Sequence, residues 1–167
     1  MNTSHHILQT RIDTPLGPLL AARSRRGLSG LWFDGQRHHP GALDAPTGAD
    51  PLFERLAAAL ARYFKGAAFD PVLLRDIDPA GTPFQRDVWL ALVAIPAGAT
   101  LTYGALAARL GRPSAVRAVG AAVGRNPISI VVPCHRVLGA DGGLTGYAGG
   151  LPRKQALLTL EGVEVLH

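Results

Sequence analysis

Three reactive side-chain types stand in a row at Cys134, His135 and Arg136, between Pro133 and Val137. A thiol beside an imidazole can lose its proton and act as a nucleophile, and a nearby guanidinium can favour the thiolate. Cys134 is the one cysteine in 167 residues. An internal disulfide and a multi-cysteine zinc site are therefore excluded. A lone cysteine can also be a small buried hydrophobe, so its neighbours decide. The apolar run Ile128-Ser129-Ile130-Val131-Val132 reads as a strand that Pro133 brings to a stop, which puts the thiol at a strand end.

A general base of this kind needs a third group to orient it. Glu161 is a candidate. It follows a final helix expected over 152–160 and precedes Gly162, where a negative charge is unfavourable for the helix alone. Asp141 is a less specific competitor. Arg136 can lower the thiol pKa or pair with a carboxylate for structure. Asn126, ahead of Pro127, can hold the turn beneath Cys134 through backbone hydrogen bonds. Residues 142–150, Gly-Gly-Leu-Thr-Gly-Tyr-Ala-Gly-Gly, form a tightly turning loop without the phosphate-loop pattern. Tyr147 in that loop can wall a pocket for a planar ligand. Tyr103 can touch phosphate or anchor a helix. The adjacent His38 and His39 lack a nearby third ligand, so no metal site is expected.

The elements that must carry these groups fall into two sets. Segments 7–13, 19–24 and 28–33 read as short strands, with Thr14-Pro15-Leu16-Gly17-Pro18 as the first turn. Leu52, Leu56, Leu60 and Phe64 mark a helix over 51–64, and residues 72–74 a further strand. A boundary at Asp78-Pro79-Ala80-Gly81 divides an N-terminal part, 1–79, from a C-terminal part, 80–167. Thr82-Pro83-Phe84-Gln85 then spells a capped helix start, with Phe84, Val88, Leu92 and Ile95 as its inward stripe. Helices near 103–110 and 114–123, joined by a Gly-Pro turn, resemble a helix-turn-helix. The second of these has Val116, Val119 and Val123 on one stripe and Ala115, Ala118 and Ala122 on a bare face. Arg117 is its large polar residue. Such a face packs closely against protein or enters a narrow minor groove.

Apolar residues make up 47% of the chain, enough for a core, and the formal net charge is +5. The charge is uneven. Residues 1–79 carry nine basic and eight acidic side chains, whereas residues 80–167 carry eight and four. A nucleic-acid partner for the second part is consistent with that excess. No apolar run approaches membrane-spanning length, and the first residues lack a signal-peptide pattern. A cytoplasmic setting, where a free thiol stays reduced, is the simplest expectation.

The C-terminal part resembles the O6-alkylguanine-DNA alkyltransferase family, the methylated-DNA–protein-cysteine methyltransferases. The resemblance rests on Phe84-Gln85 with Val88-Trp89, Ile95-Pro96-Ala97-Gly98, Tyr103, Arg117-Ala118-Val119-Gly120 and Asn126-Pro127. It continues through Pro133-Cys134-His135-Arg136-Val137, Gly146-Tyr147-Ala148-Gly149-Gly150, Lys154, Leu157-Leu158 and Glu161. Thr14 to Leu19 resembles the family's N-terminal hairpin. The implied fold is α/β (α+β): a small sheet-plus-helix domain, then a mostly helical, winged-helix-like domain. The implied activity is repair of duplex DNA by one irreversible transfer of an alkyl group from O6-alkylguanine, and also O4-methylthymine, to Cys134.

The same resemblance implies that His135 acts as base through a water, that Glu161 orients it, and that Asn126 braces the turn. Tyr103 would press on the phosphate and donate a proton to the leaving guanine. Arg117 would fill the gap left by the flipped base. Ala115, Ala118, Ala122 and Gly120 would lie along the DNA, with Arg125 and Arg136 as further contacts. Tyr147, Val132, Ala148 and Gly149 would line the base pocket, Ala148 standing where many relatives have serine. No cofactor, membrane or obligate protein partner is implied, and the protein is expected to be a monomer. A pure DNA-binding regulator would leave Cys134-His135 unexplained, and a thiol hydrolase would leave the bare helix idle.

Overall fold

A computed structural model describes residues 5–165. They form two compact units. One comprises the chain to Ala80 together with Pro127–Ser129, and the other Gly81–Asn126 together with the chain from Ile130.

The first unit is built on an antiparallel meander of β1 (Leu8–Ile12), β2 (Leu19–Arg23) and β3 (Leu28–Phe33). Thr14 makes the first turn tight. Its hydroxyl donates to the Gly17 carbonyl at 2.7 Å, and Gly17 takes a φ of 112° that favours glycine. In the β2–β3 register Leu20 faces Trp32, and Ala22 faces Gly30. These residues cover one face with Leu43, and Trp32 lies so close over Gly30 that a Cβ there would strike the indole. Leu19, Ala21, Leu31 and Phe33, on the alternate positions, are fully buried.

Asp50 caps α1 (Pro51–Tyr63) by accepting the Leu52 N–H, and Leu52, Phe53, Leu56, Ala59, Leu60 and Tyr63 are its buried residues. Residues 72–74, expected as a strand, lie instead in the short helix α2 (Pro71–Arg75). The cause is local. Asp70 accepts the Val72 N–H and Pro71 occupies the first helical position, so Asp-Pro starts a helix before the apolar triplet can extend.

Pro127–Ser129 lies against β3 as a strap. The Leu31 N–H donates to Pro127 O at 2.8 Å, the Ser129 N–H donates to Leu31 O at 2.9 Å, and Ile128 forms a parallel bridge with Leu31. The buried Gln36 side chain ties it down, its Oε1 accepting from both the Phe33 N–H and the Ser129 hydroxyl. The apolar run 128–132 is thus no continuous strand. Ile130 adopts a φ of 71° while fully buried. A β-branched residue there is strained, at a cost of about 1–3 kcal/mol.

The second unit opens with α3 (Pro83–Val93), which carries the complete capping box of Thr82 and Gln85. Val88, Trp89 and Leu92 are its buried residues, and Phe84 is only partly covered. A two-residue strand β4 (Leu101–Thr102) leads into α4 (Tyr103–Arg109), whose first turn is capped by the Thr102 hydroxyl. After a turn at Gly111 comes α5 (Val116–Gly124), where the Trp89 indole N–H donates to Ala122 O at 2.9 Å. A 3₁₀ turn spans Cys134–Arg136 and runs into β5 (Val137–Leu138), which pairs in parallel with β4. The last helix is α6 (Leu151–Leu160).

Candidate active site

Cys134 begins the 3₁₀ turn and is 4% exposed. The turn is set by local bonds, from the Cys134 N–H to Val132 O at 2.8 Å and from the Arg136 N–H to Pro133 O at 3.0 Å. Asn126 braces it from the end of α5. Its side-chain amide donates to Val132 O at 2.8 Å and also hydrogen-bonds the thiol. Burial pushes the Cys134 thiol up from its ordinary value. The Asn126 bond and the positive charge of Lys154 pull it part of the way back. The resting group is therefore a thiol, and its ionisation needs a base.

His135 follows directly and is completely buried. Its Nε2 lies 2.8 Å from Glu161 Oε2. A carboxylate only accepts, so Nε2 carries the hydrogen and Nδ1 presents a lone pair. Nδ1 has no hydrogen-bond partner among the described residues. Burial lowers the His135 pKa, against an opposing pull from Glu161, so the ring is neutral at pH 7. A neutral imidazole with an open basic nitrogen can take a proton.

Glu161 caps the end of α6, and its side chain is 1% exposed. It is the hub of the network. Arg136 Nε donates to Oε1 at 2.7 Å and Nη2 to Oε2 at 2.9 Å, while Nη1 donates to Ile95 O at 2.6 Å. Arg136, expected among the DNA contacts, is thus a buried partner of the carboxylate. It is 7% exposed, and its Nε, Nη1 and Nη2 each donate to a protein acceptor.

Tyr103, the first residue of α4, donates its hydroxyl to Thr145 O at 3.2 Å, and the Gly120 Cα side faces its ring. Burial, and then the nearby Cys134, push the Tyr103 pKa up, so its hydroxyl keeps its proton. Lys154 is the residue whose part the sequence left unread. It is fully buried, and its ammonium donates to three carbonyls, Val137 at 2.6 Å, Thr145 at 3.0 Å and Gly146 at 3.1 Å. It therefore clamps the glycine loop to the strand that follows Cys134. Burial lowers its pKa to about 8, against the pull of Cys134. The signal was present: positions 154, 157, 158 and 161 lie on one helical stripe, and a lysine in an otherwise inward stripe asks for buried acceptors.

On α5 the exposed residues are Val116, Arg117, Ala118 and Ala121, followed by Arg125. Arg117 makes no hydrogen bond or ion pair with the other described residues. Ala115 is half-buried, and Ala122, expected on the bare face, is 3% exposed and packed inward. Val116, expected inside, is 37% exposed. Val119 and Val123 are buried as expected, and the Trp89 indole N–H bonds the backbone at Ala122, the third buried residue of the helix. Val132 ahead of Cys134 and Gly149 in the glycine loop are buried, while Tyr147 and Ala148 are partly covered. Among the described residues no group of three or more His, Cys, Asp or Glu could hold a metal ion, and no helix is long and apolar enough to cross a membrane.

A family model for the 6-O-methylguanine DNA methyltransferase DNA binding domain matches residues 83–163, and one for the ribonuclease-like domain of the same proteins matches residues 7–71. The chain belongs to this methyltransferase family. Its members include the methylated-DNA–protein-cysteine methyltransferase of Salmonella typhimurium, 47% identical over 171 residues covering 96% of this chain and 98% of that protein. The Methanosarcina acetivorans protein of the same name is 45% identical, with 90% and 95% covered. Among solved structures, Mycobacterium tuberculosis OGT in complex with DNA aligns with a TM-score of 0.83 at 43% identity, covering 93% of this chain and 92% of that one. In this family member the His135 imidazole, Glu161 and Arg136 form one buried network, and the buried Cys134 precedes His135 directly.

Proposed function

We propose that the protein repairs DNA directly, by taking an alkyl group from O6-alkylguanine onto Cys134, once per molecule. The observation that carries this reading is the buried His135–Glu161 pair next in sequence to Cys134, in which the imidazole hydrogen is committed to the carboxylate and Nδ1 is left basic. His135 Nδ1 takes the thiol proton through a water. The sulfur attacks the alkyl carbon, an S–C bond forms and the C–O6 bond breaks. The bonding pair stays with the guanine, which Tyr103 protonates. Asn126 steadies the thiolate as it forms. The product is a thioether, and no residue of the site can reverse it.

The exposed face of α5 suits the DNA. Ala118 and Ala121 allow close approach, and Arg117 is long and uncommitted, so it can occupy the gap left when the damaged base is flipped. Arg125 adds phosphate attraction, which should make binding salt-dependent. The flipped base is taken up between Tyr147 and the backbone at Val132, Ala148 and Gly149, and O4-methylthymine is a second substrate.

Intact-protein mass spectrometry after mixing with a duplex containing O6-methylguanine tests this reading. One methyl group should appear, on the peptide holding Cys134, and a second addition of substrate should add none. Transfer that persists in Cys134→Ala would sink it.

A further inference from the structure

The first unit holds a cavity that the chemistry of Cys134 does not use. It has a volume of about 370 Å³ and is walled by the β2–β3 turn, the start of α1 and Asp76. Its charged lining is Arg23, Arg26 and Arg55 against Asp50 and Asp76. Each carboxylate is already matched. Arg23 Nη1 donates to Asp50 at 2.6 Å, and Arg55 Nη2 donates to Asp76 at 2.9 Å. Arg26 is the surplus charge, exposed and without a carboxylate partner among the described residues. Arg25 is exposed beside it on the same turn.

The walls are firmly constructed. The Ser24 hydroxyl oxygen accepts the Arg26 and Gly27 N–H groups at 3.1 and 3.2 Å, which fixes the turn that presents Arg26. Gly27 lies so close to the Asp76 backbone that a Cβ would collide with its carbonyl, and the next N–H, of Leu28, donates to that carbonyl at 2.7 Å. Arg23 is tethered again by its Nε, which donates to Ser24 O at 3.0 Å. The helix end contributes little. Pro51 has no N–H, and that of Leu52 is spent on Asp50 at 2.8 Å. Any ligand must therefore be gripped by guanidinium groups.

Convergent guanidinium groups match the oxygens of a phosphate, which they can bind in pairs. The volume falls within the range of about 300–1,000 Å³ common for small-ligand pockets. We propose that this cavity is a second, anion-binding site that takes a phosphate ester. Arg26 is its free donor, and Arg23 and Arg55 each share their fork between a carboxylate and the phosphate. A free nucleotide and a nucleic-acid backbone offer this same chemistry. The site lies in the first unit and stands independently of alkyl transfer.

The test uses the full-length ¹⁵N-labelled protein, following the Gly27 amide and the Arg26 Nε–H by NMR. Inorganic phosphate, deoxyadenosine monophosphate and a lesion-free duplex are titrated separately. Saturable shifts of both signals are expected with at least one probe. Arg26→Glu should weaken that probe's binding about tenfold or more. Asp76→Asn, which frees Arg55, should tighten it a few-fold. Both variants should still methylate Cys134 at the wild-type rate, and that rate confirms that they fold. Tighter saturation by the mononucleotide identifies a free nucleotide as the ligand, and tighter saturation by the duplex identifies a strand. Failure of all three probes to shift these signals overturns the site, as do shifts that survive Arg26→Glu unchanged.

Discussion

Replacing Glu161 separates two jobs that one carboxylate performs. Glu161 accepts three hydrogen bonds, one from His135 and two from Arg136, at 2.7 to 2.9 Å, with its side chain 1% exposed. Glu161→Ala removes all three and leaves a buried guanidinium with only Ile95 O as a partner. Three charge-assisted bonds at about 1.5–3 kcal/mol each set an upper limit. Breaking one side of a buried pair costs about 3–5 kcal/mol, and that is the expected loss in urea unfolding. Glu161→Gln is the sharper probe. Its amide oxygen can still accept from Arg136, so the stability loss should be smaller. With that oxygen on Arg136 Nε, its NH₂ takes the Oε2 position, where it loses the Arg136 Nη2 bond and faces His135 Nε2, which must accept, so the ring hydrogen moves to Nδ1. That is the nitrogen needed to receive the thiol proton. Single-turnover transfer from an O6-methylguanine duplex should slow by about 10²- to 10⁴-fold, the usual worth of a general base. Removing the carboxylate also takes away the influence that raises the His135 pKa, so the ring stays neutral and the loss does not come from a charged imidazole. A folded Glu161→Gln protein that transfers at the wild-type rate would refute the proton path.

Further outcomes follow from other features. Lys154 has a folded pKa of about 8 against 10.5 in the open chain, so the unfolded state binds its proton more tightly between those values. This group alone should make stability rise from pH 8 to 10.5, and Lys154→Met should flatten that slope. Both are best measured by urea unfolding in a Cys134→Ala background, because the raised thiol pKa titrates with the opposite sign. Arg117→Ala should slow repair of duplex DNA far more than reaction with a free O6-alkylguanine base, and equal losses on both substrates would contradict its place in the stack. Gly27→Ala should cost about 1–3 kcal/mol in thermal or urea unfolding, because its Cβ meets the Asp76 backbone rather than a movable side chain.

What the sequence made legible was written in short-range chemistry. Thr82 and Gln85 announced the start of α3, Thr14 and Gly17 the first turn, and the Leu52-Leu56-Leu60 spacing the helix that follows Asp50. Where the outcome depended on a distant partner, the sequence was silent or misleading. Arg136 reads equally as a DNA contact or an ion-pair partner until Glu161, far along the chain, is seen to close on it. Ala122 lies inside and Val116 outside, and the Trp89 hydrogen bond to the Ala122 backbone is an interaction that periodicity does not encode. The apolar stretch ahead of Cys134 has strand composition, yet Ile130 turns it with a left-handed backbone that its residue type disfavours. Asp70-Pro71 shows the opposite failing: the cap was visible, but three apolar residues after it outweighed it.

The strap at Pro127–Ser129 has a consequence for how the chain is made. The Leu31 backbone on β3 is satisfied by residues that emerge from the ribosome long after β3 itself. Roughly fifty residues separate Ala80 from Ser129, which at about 5–20 residues per second is a delay of several seconds. During that interval Leu31 on the outer side of β3 stands open, with the pairing groups of an exposed edge, whereas Leu28 is already paired with Asp76 and Asp78. A nascent chain truncated after Ala80 should therefore associate more readily than the finished protein, and the first unit is complete only when the segment leading to Cys134 arrives.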